Sequence, residues 1–204
     1  MVKRIIIIGA TSGIGYEVAK IYWKRGYQLG LAGRRVDRLE EFRKQDPEHI
    51  QIKQLDVTAE DAADRLDELI RDLGGMDIFL LSSGIGNQNK YLDTSIEQAT
   101  IQTNVTGFTR MVLAAYRYFS SQGGGHICNQ LYCRNQRIRC RSLLLGYQTI
   151  PKYLYRRFSP TFPYGETAYY IYGYPSGICP YGFIERRQEL SYADVSPIRR
   201  LAYR

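Results

Sequence analysis

The stretch that decides the fold reads RIIIIGATSGIG and covers residues 4–15. Four isoleucines follow Arg4 without interruption, and such a β-branched run is typical of a strand buried on both faces of a parallel sheet. Gly9 ends the run, and a helical pattern then extends from Gly13 through Arg25. The stretch therefore predicts a strand, a glycine-rich turn and a helix, which together form the first unit of an α/β fold.

The three glycines of the turn have a chemical use. Gly9 permits a tight turn, Gly13 lets the backbone approach a pyrophosphate, and Gly15 allows the helix to pack close to the strand. The positive N-terminus of the helix would then favour phosphate. An ordinary flexible turn is the alternative, but the position between a strand and a helix favours a phosphate-binding loop. Its candidate cofactor-binding residues are Gly9, Thr11, Ser12, Gly13, Ile14 and Gly15.

Strand and helix patterns alternate along the residues that follow. After the first strand at 4–8, the predicted strands are residues 28–32, 50–55, 76–81 and 125–127. The predicted helices are residues 13–25, 37–44, 60–73 and 96–119. Because the connections are short, we expect an α/β fold of the Rossmann-like, doubly wound kind, in which helices cover both faces of a parallel sheet in three layers.

Charged residues follow the second and third predicted strands. In a dinucleotide site the end of the second strand meets the adenosine ribose, where an arginine favours a 2′-phosphate and an acid favours a free hydroxyl. Arg34 and Arg35 occupy this place, so we favour NADP over NAD; the alternative is that both are solvated surface residues. Asp56 follows the third strand and could accept a hydrogen bond from the adenine amino group, or could instead cap the next helix.

The composition changes sharply near Ile127. Residues 1–127 carry 16 basic and 16 acidic side chains, whereas residues 128–204 carry 12 and 4, so the net charge of +8 arises after the change. The second part also holds all four cysteines, six of the seven prolines and 12 of the 18 tyrosines. We therefore divide the chain into a dinucleotide-binding half, residues 1–127, and an irregular basic tail, residues 128–204, so that the C-terminal part of the fold is truncated or scrambled.

Composition also argues against several classes of function. The cysteines form no C-x-x-C pair and the two histidines add no ligand spacing, so we expect neither a metal site nor a disulfide framework. The apolar run at residues 5–8 is too short for a secretory signal, and no run reaches membrane-span length, which predicts a soluble cytoplasmic protein without a membrane partner. The basic tail would suit nucleic acid or another anion, and a basic anion-binding protein is one alternative function. No recognition motif organises the charges of the tail, so we expect no nucleic-acid partner.

Four motifs within residues 1–127 resemble those of the short-chain dehydrogenase/reductase family. The segment from Gly9 to Gly15 is similar to the family's T-G-x-x-x-G-x-G loop, with Ile8 where the family has threonine. The other matches are Asp56-Val57 for the D-V pair after strand three, Gly84 for the glycine of the N-N-A-G segment, and Asn104 for the asparagine of N-V-x-G. The resemblance implies an oxidoreductase that moves hydride between NADP(H) and a small carbonyl or alcohol.

The resemblance also implies site residues and an assembly. Asn104 would belong to the catalytic machinery by helping to hold a water that links the catalytic lysine to solvent, and relatives commonly form homo-oligomers. The family's serine and its Tyr-x-x-x-Lys motif have no counterpart after Ile127, since the only lysine there is Lys152 and the residue four positions earlier is Gln148. We therefore expect the chain as written to be catalytically inactive, a non-catalytic NADP-binding remnant.

The missing motifs can be encoded in another reading frame of the tail. Residues 128–137 can be encoded so that reading one nucleotide later gives A-I-S-S-I-A-G-T-K-G, which contains the family's serine. In the same frame, residues 138–148 can give F-G-A-A-P-S-Y-S-A-T-K, with the tyrosine from the codon of Leu144 and the lysine from that of Gln148. Residues 173–184 can give the family's R-P-G segment. Our hypothesis is that an inserted nucleotide, or the loss of two, at or just before codon 128 makes residues 128–204 a frameshift product.

Overall fold

A parallel sheet organises the part of the chain that the structure describes. The structure is a computed structural model, and it describes residues 2–86, 89, 91–129 and 169–172. The strands are β1 Arg4–Ile8, β2 Gln28–Gly33, β3 Ile50–Gln54, β4 Ile78–Leu81, β5 Gly125–Asn129 and β6 Tyr169–Tyr172. They lie in the order β3-β2-β1-β4-β5-β6, and every neighbouring pair is parallel. The predicted α/β fold with a Rossmann-like parallel sheet is therefore confirmed.

Helices connect the strands and cover both faces of the sheet. They are α1 Gly13–Lys24, α2 Val36–Arg43, α3 Ala62–Asp72, α4 Thr94–Ile101 and α5 Phe108–Gln122. The predicted helix at residues 96–119 is not continuous, because a π-helical segment, Gln102–Gly107, separates α4 from α5. It also begins two residues earlier than predicted, since Asp93 Oδ1 accepts a hydrogen bond from Ser95 N at 2.8 Å and caps α4.

The alternation of side chains along β1 creates two hydrophobic cores. Ile5 and Ile7 point to one face, where they pack in a cluster with residues of α1 and α2 such as Tyr22. Ile6 and Ile8 point to the other face and pack in a cluster with residues of α3 and α5. All four isoleucines are completely buried. The continuous apolar run is thus explained by a central strand that is covered on both sides.

Two short segments of the predicted irregular tail, the end of β5 and the strand β6, have regular backbone. β5 extends through Cys128 and Asn129, which lie beyond the predicted division at residue 127. The four residues of β6 pair with β5 in register from Gly125↔Tyr169 to Cys128↔Tyr172. Regular backbone is therefore found at these places in the tail, while the division at residue 127 stays a prediction.

The packing of α3 on the sheet gives a test of the fold. Leu69 is completely buried, and a Cβ atom built at Gly30 of β2 would lie 3.3 Å from its Cγ, so the helix lies directly on the strand. We expect Leu69→Ala to lower the free energy of unfolding by about 2–5 kcal/mol through lost burial and a cavity, measured by urea denaturation. Leu92→Ala is the matched control, since Leu92 is 71% exposed. Equal losses for the two variants would contradict this packing.

Candidate functional site

The loop that follows β1 is packed backbone against backbone at the carboxyl end of the sheet. Gly9 has a φ of 91°, and a Cβ atom there would lie 2.7 Å from Ser83 N in the loop after β4. The amides of Gly9 and Ala10 both donate to Ala32 O of β2, at 2.8 and 3.1 Å. The loop is therefore fixed between the ends of its two neighbouring strands.

The first turn of α1 lies on this loop. A Cβ atom at Gly15 would collide with the carbonyl oxygen of Gly9, so only glycine lets the helix approach so closely. Gly13 has a φ of 59°, and a Cβ atom there would meet no heavy atom within 4 Å. Ser12 has an extended backbone, and its side chain makes no capping hydrogen bond to α1. Because first-turn amides have no intrahelical partner, the open side of this loop suits an anion.

Arg35 brings positive charge to the same loop. Its Nη2 atom donates to Thr11 Oγ1 at 3.0 Å and to Ser12 Oγ at 2.6 Å. The end of β2 is also in contact with the loop, since a Cβ atom at Gly33 would lie 2.6 Å from Thr11 Cγ2. An exposed guanidinium therefore lies across the hydroxyl groups that precede α1, which places the predicted ribose-end arginine beside the predicted phosphate loop.

Asp56 forms a tight turn after β3. Its Oδ1 atom accepts hydrogen bonds from Thr58 N at 2.9 Å and from Thr58 Oγ1 at 2.8 Å. Burial alone would raise the pKa of Asp56, but these two bonds and the charge of Arg34 outweigh it and hold the pKa below its ordinary value. The alternative prediction, that Asp56 caps the next helix, is wrong because α3 begins at Ala62 with Asp61 as its N-cap.

Asn104 fixes the loop after β4. This side chain is 2% exposed, its Oδ1 accepts from Ile85 N at 2.9 Å, and its Nδ2 donates to Ile85 O at 2.7 Å. A Cβ atom at Gly84 would lie 3.4 Å from Asn104 Oδ1, so this glycine lies against the amide. Asn104 belongs to the π-helical segment, a feature often found at functional sites. Its predicted role in holding a water for the catalytic lysine stays a prediction.

The structure thus brings most of the predicted residues to the carboxyl ends of β1, β2, β3 and β4. Ile14 is half-buried against the cluster on the α1 face of the sheet, and Val57 is 5% exposed in the opposite cluster. The positions that would carry the family's serine, tyrosine and lysine in the other reading frame, including Leu144 and Gln148, lie outside the described residues. Within the described residues, no helix combines the length and apolar character needed to cross a membrane.

Sequence reasoning missed two residues that support the site. Thr58 completes the turn at Asp56, and its signal was available, since a hydroxyl residue two positions after an aspartate is typical of a side chain that bonds its own turn. Arg110 of α5 donates from Nη1 to Val57 O at 2.9 Å and to Ala59 O at 2.8 Å. No local pattern indicates this contact, because its partners lie more than fifty residues away in the sequence.

Sequence comparison finds relatives of this chain among known proteins. An uncharacterized oxidoreductase of Staphylococcus haemolyticus is 35% identical over 128 residues, which are 61% of this chain and 55% of that protein. This chain therefore spans about half the length of the curated relatives that it matches.

Solved structures of other proteins share this fold. A short-chain type dehydrogenase/reductase of Mycobacterium marinum is 29% identical with a TM-score of 0.67, over 76% of this chain and 67% of that one. An alcohol dehydrogenase of Thermococcus sibiricus, complexed with 5-hydroxy-NADP, has a TM-score of 0.70 over 84% of this chain and 75% of that one; at 22% identity it supports the fold alone.

The sequence model of the short chain dehydrogenase family matches residues 3–130, which is more than half of the chain. The match contains the glycine-rich loop, the turn at Asp56 and the π-helical segment with Asn104. This chain therefore belongs to the short-chain dehydrogenase family.

Proposed function

We propose that this chain binds NADP at the carboxyl edge of the sheet, through residues 1–127, and that residues 128–204 supply no catalytic machinery. The observation that carries the proposal is the position of Arg35, whose guanidinium lies on the hydroxyl groups of Thr11 and Ser12. A cation beside an open helix N-terminus suits a ligand with two separate phosphate groups.

The phosphate loop would hold the pyrophosphate of the cofactor. Gly13 leaves open space where a side chain would otherwise stand, and the first-turn amides of α1 are oriented along the helix axis. Gly9 lets the loop pack against Ser83, and Gly15 lets α1 pack on Gly9. Thr11, Ser12 and Ile14 are the other residues of the proposed phosphate loop. The donor set of backbone amides and hydroxyl groups fits an anion that approaches from solvent.

The two arginines after β2 support a preference for NADP over NAD. A planar guanidinium binds a phosphate monoester with two parallel hydrogen bonds, whereas an unmodified ribose calls for an acceptor such as a carboxylate. Both Arg34 and Arg35 are exposed, and no acidic residue stands at either position. In this proposal Arg35 exchanges its bonds to Thr11 and Ser12 for the 2′-phosphate.

Asp56 and Val57 would form the adenine end of the site. An aspartate carboxyl is ionised at neutral pH, and the pKa of Asp56 is lowered further, so this group can only accept hydrogen bonds. An adenine amino group is a donor and therefore complements it. Gly84 packs against Asn104 and would contact the cofactor from the loop after β4.

Bound NADP(H) supplies the hydride chemistry of this family, acting in intact relatives on a small carbonyl or alcohol. The proton transfer that accompanies it needs the serine, tyrosine and lysine that this chain lacks, and Asn104 is the one family catalytic residue that it retains. We infer that the chain binds cofactor without turnover. Cytoplasmic location and the absence of a nucleic-acid partner belong to the same proposal, whereas the homo-oligomers of intact relatives are not proposed for this chain.

In this proposal, the DNA that gives residues 128–204 encodes the family's catalytic motifs in the frame one nucleotide later. The abrupt change from a neutral chain to one with 12 basic and 4 acidic residues supports this, because a selected family member has no reason to change composition within β5. A basic tail that binds nucleic acid is the competing function, favoured only by the charge itself, and salt-sensitive binding of polyanions by the tail would support it.

The proposed 2′-phosphate contact can be tested by Arg35→Met. We expect the affinity for NADPH to fall about ten- to hundredfold, because a charge-assisted hydrogen bond to phosphate contributes about 1.5–3 kcal/mol. The affinity for NADH, which lacks that phosphate, should change little. Isothermal titration calorimetry on the full chain measures both.

Arg38→Met is the matched control, since Arg38 is exposed on α2 and pairs with Glu41 at 3.3 Å. It should leave the preference for NADPH unchanged. Equal losses of NADPH and NADH affinity in Arg35→Met would contradict a 2′-phosphate contact, and failure of the unmodified chain to bind either cofactor would contradict the proposed function.

The reading-frame proposal is tested on the coding DNA and its product. Resequencing from codon 120 to the stop codon should show that the frame one nucleotide later spells S-S, Y-x-x-x-K and R-P-G. A protein made from the restored frame should oxidise NADPH with a small carbonyl substrate, whereas the present chain should not. If the actual codons spell none of these motifs, the tail is a genuine sequence and the frame proposal is wrong.

A further inference from the structure

A side chain from α5 holds the turn that follows β3. Arg110 Nη1 donates to Val57 O at 2.9 Å and to Ala59 O at 2.8 Å, and both hydrogen bonds are partly buried. The two carbonyl groups flank Thr58, so one guanidinium nitrogen bridges the turn. A charged donor to two backbone acceptors fixes their relative position more firmly than water would.

The backbone of the helix presses on the same turn. A Cβ atom at Gly107 would lie 2.8 Å from Val57 Cγ2 and 2.9 Å from Val57 O, so any larger residue would push the turn outward. Gly107 is the last residue of the π-helical segment and lies three positions before Arg110. The close approach at Gly107 therefore brings the base of the Arg110 side chain within reach of the turn.

The opposite side of the turn is held by Asp56. Its carboxylate accepts from Thr58 N and Oγ1, and its carbonyl oxygen accepts from Ala59 N at 3.0 Å. The amide groups of Thr58 and Ala59 thus donate to Asp56. The carbonyl groups of Val57 and Ala59 accept from Arg110. With both sets engaged, the direction of the Asp56 carboxylate is fixed from two sides.

We propose that Arg110 is a positioning residue for adenine recognition, because it fixes the Val57–Ala59 backbone and through it the orientation of the Asp56 carboxylate. This inference rests on the proposed NADP binding. Its consequence is specific to one part of the ligand: a change at Arg110 weakens recognition of the adenine amino group and leaves the rest of the cofactor bound as before.

The test compares NADPH with its hypoxanthine analogue, deamino-NADPH, which lacks that amino group. We expect the unmodified full chain to prefer NADPH about tenfold, the value of one hydrogen bond to a charged group. In Arg110→Met the preference should fall towards one, because NADPH affinity is lost while deamino-NADPH affinity is kept. Arg117→Met, an exposed arginine two turns further along α5, should keep the preference.

The outcomes separate the inference from the function on which it rests. An unmodified chain that binds neither ligand contradicts NADP binding itself. An unmodified chain that prefers NADPH, with Arg110→Met showing the same preference or losing both ligands equally, overturns the positioning role. If thermal denaturation shows that Arg110→Met does not fold, Arg110→Lys decides in the same way: a reduced preference supports the role and an unchanged one overturns it.

Discussion

The structure depends on one close contact, in which the start of α1 lies on the carbonyl group of Gly9. Because position 15 carries no side chain, the helix can begin immediately above the end of β1. That places the positive end of the helix at the carboxyl edge of the sheet, beside the ends of β2 and β4. Every other feature of the site is arranged around this point, including the fixed loop after β1 and the guanidinium of Arg35.

Positive and negative side chains lie at different places along this edge, as the proposed dinucleotide site requires. Arg35 and the first turn of α1 provide the positive end, and Asp56 provides an anion further along the sheet, after β3. The hydrogen bonds from Thr58 and, to a smaller extent, the charge of Arg34 lower the pKa of Asp56. In the proposed site, phosphate groups and an adenine amino group would have complementary places, held by strands that cannot shift without disturbing two hydrophobic cores.

Much of this was predictable from local sequence. The run of isoleucines predicts β1, the alternation predicts a parallel sheet, and the glycine spacing predicts the loop, because each signal is confined to a few neighbouring residues. The π-helical segment and the Arg110 contact were not predictable, since they depend on side chains that meet only after the sheet has formed. The cap alternative for Asp56 failed for a related reason: the chain makes a further turn before α3 begins.

The central claim is that the front half of the chain binds NADP at the loop after β1. It is tested most directly by amide NMR spectra of the isotope-labelled full chain, recorded with increasing NADPH. The account predicts that the largest chemical-shift changes fall on residues 9–15, on Arg35 and on the turn at Thr58. An absence of changes there would contradict it, and changes confined to residues 128–204 would contradict it and point to anion binding by the basic tail.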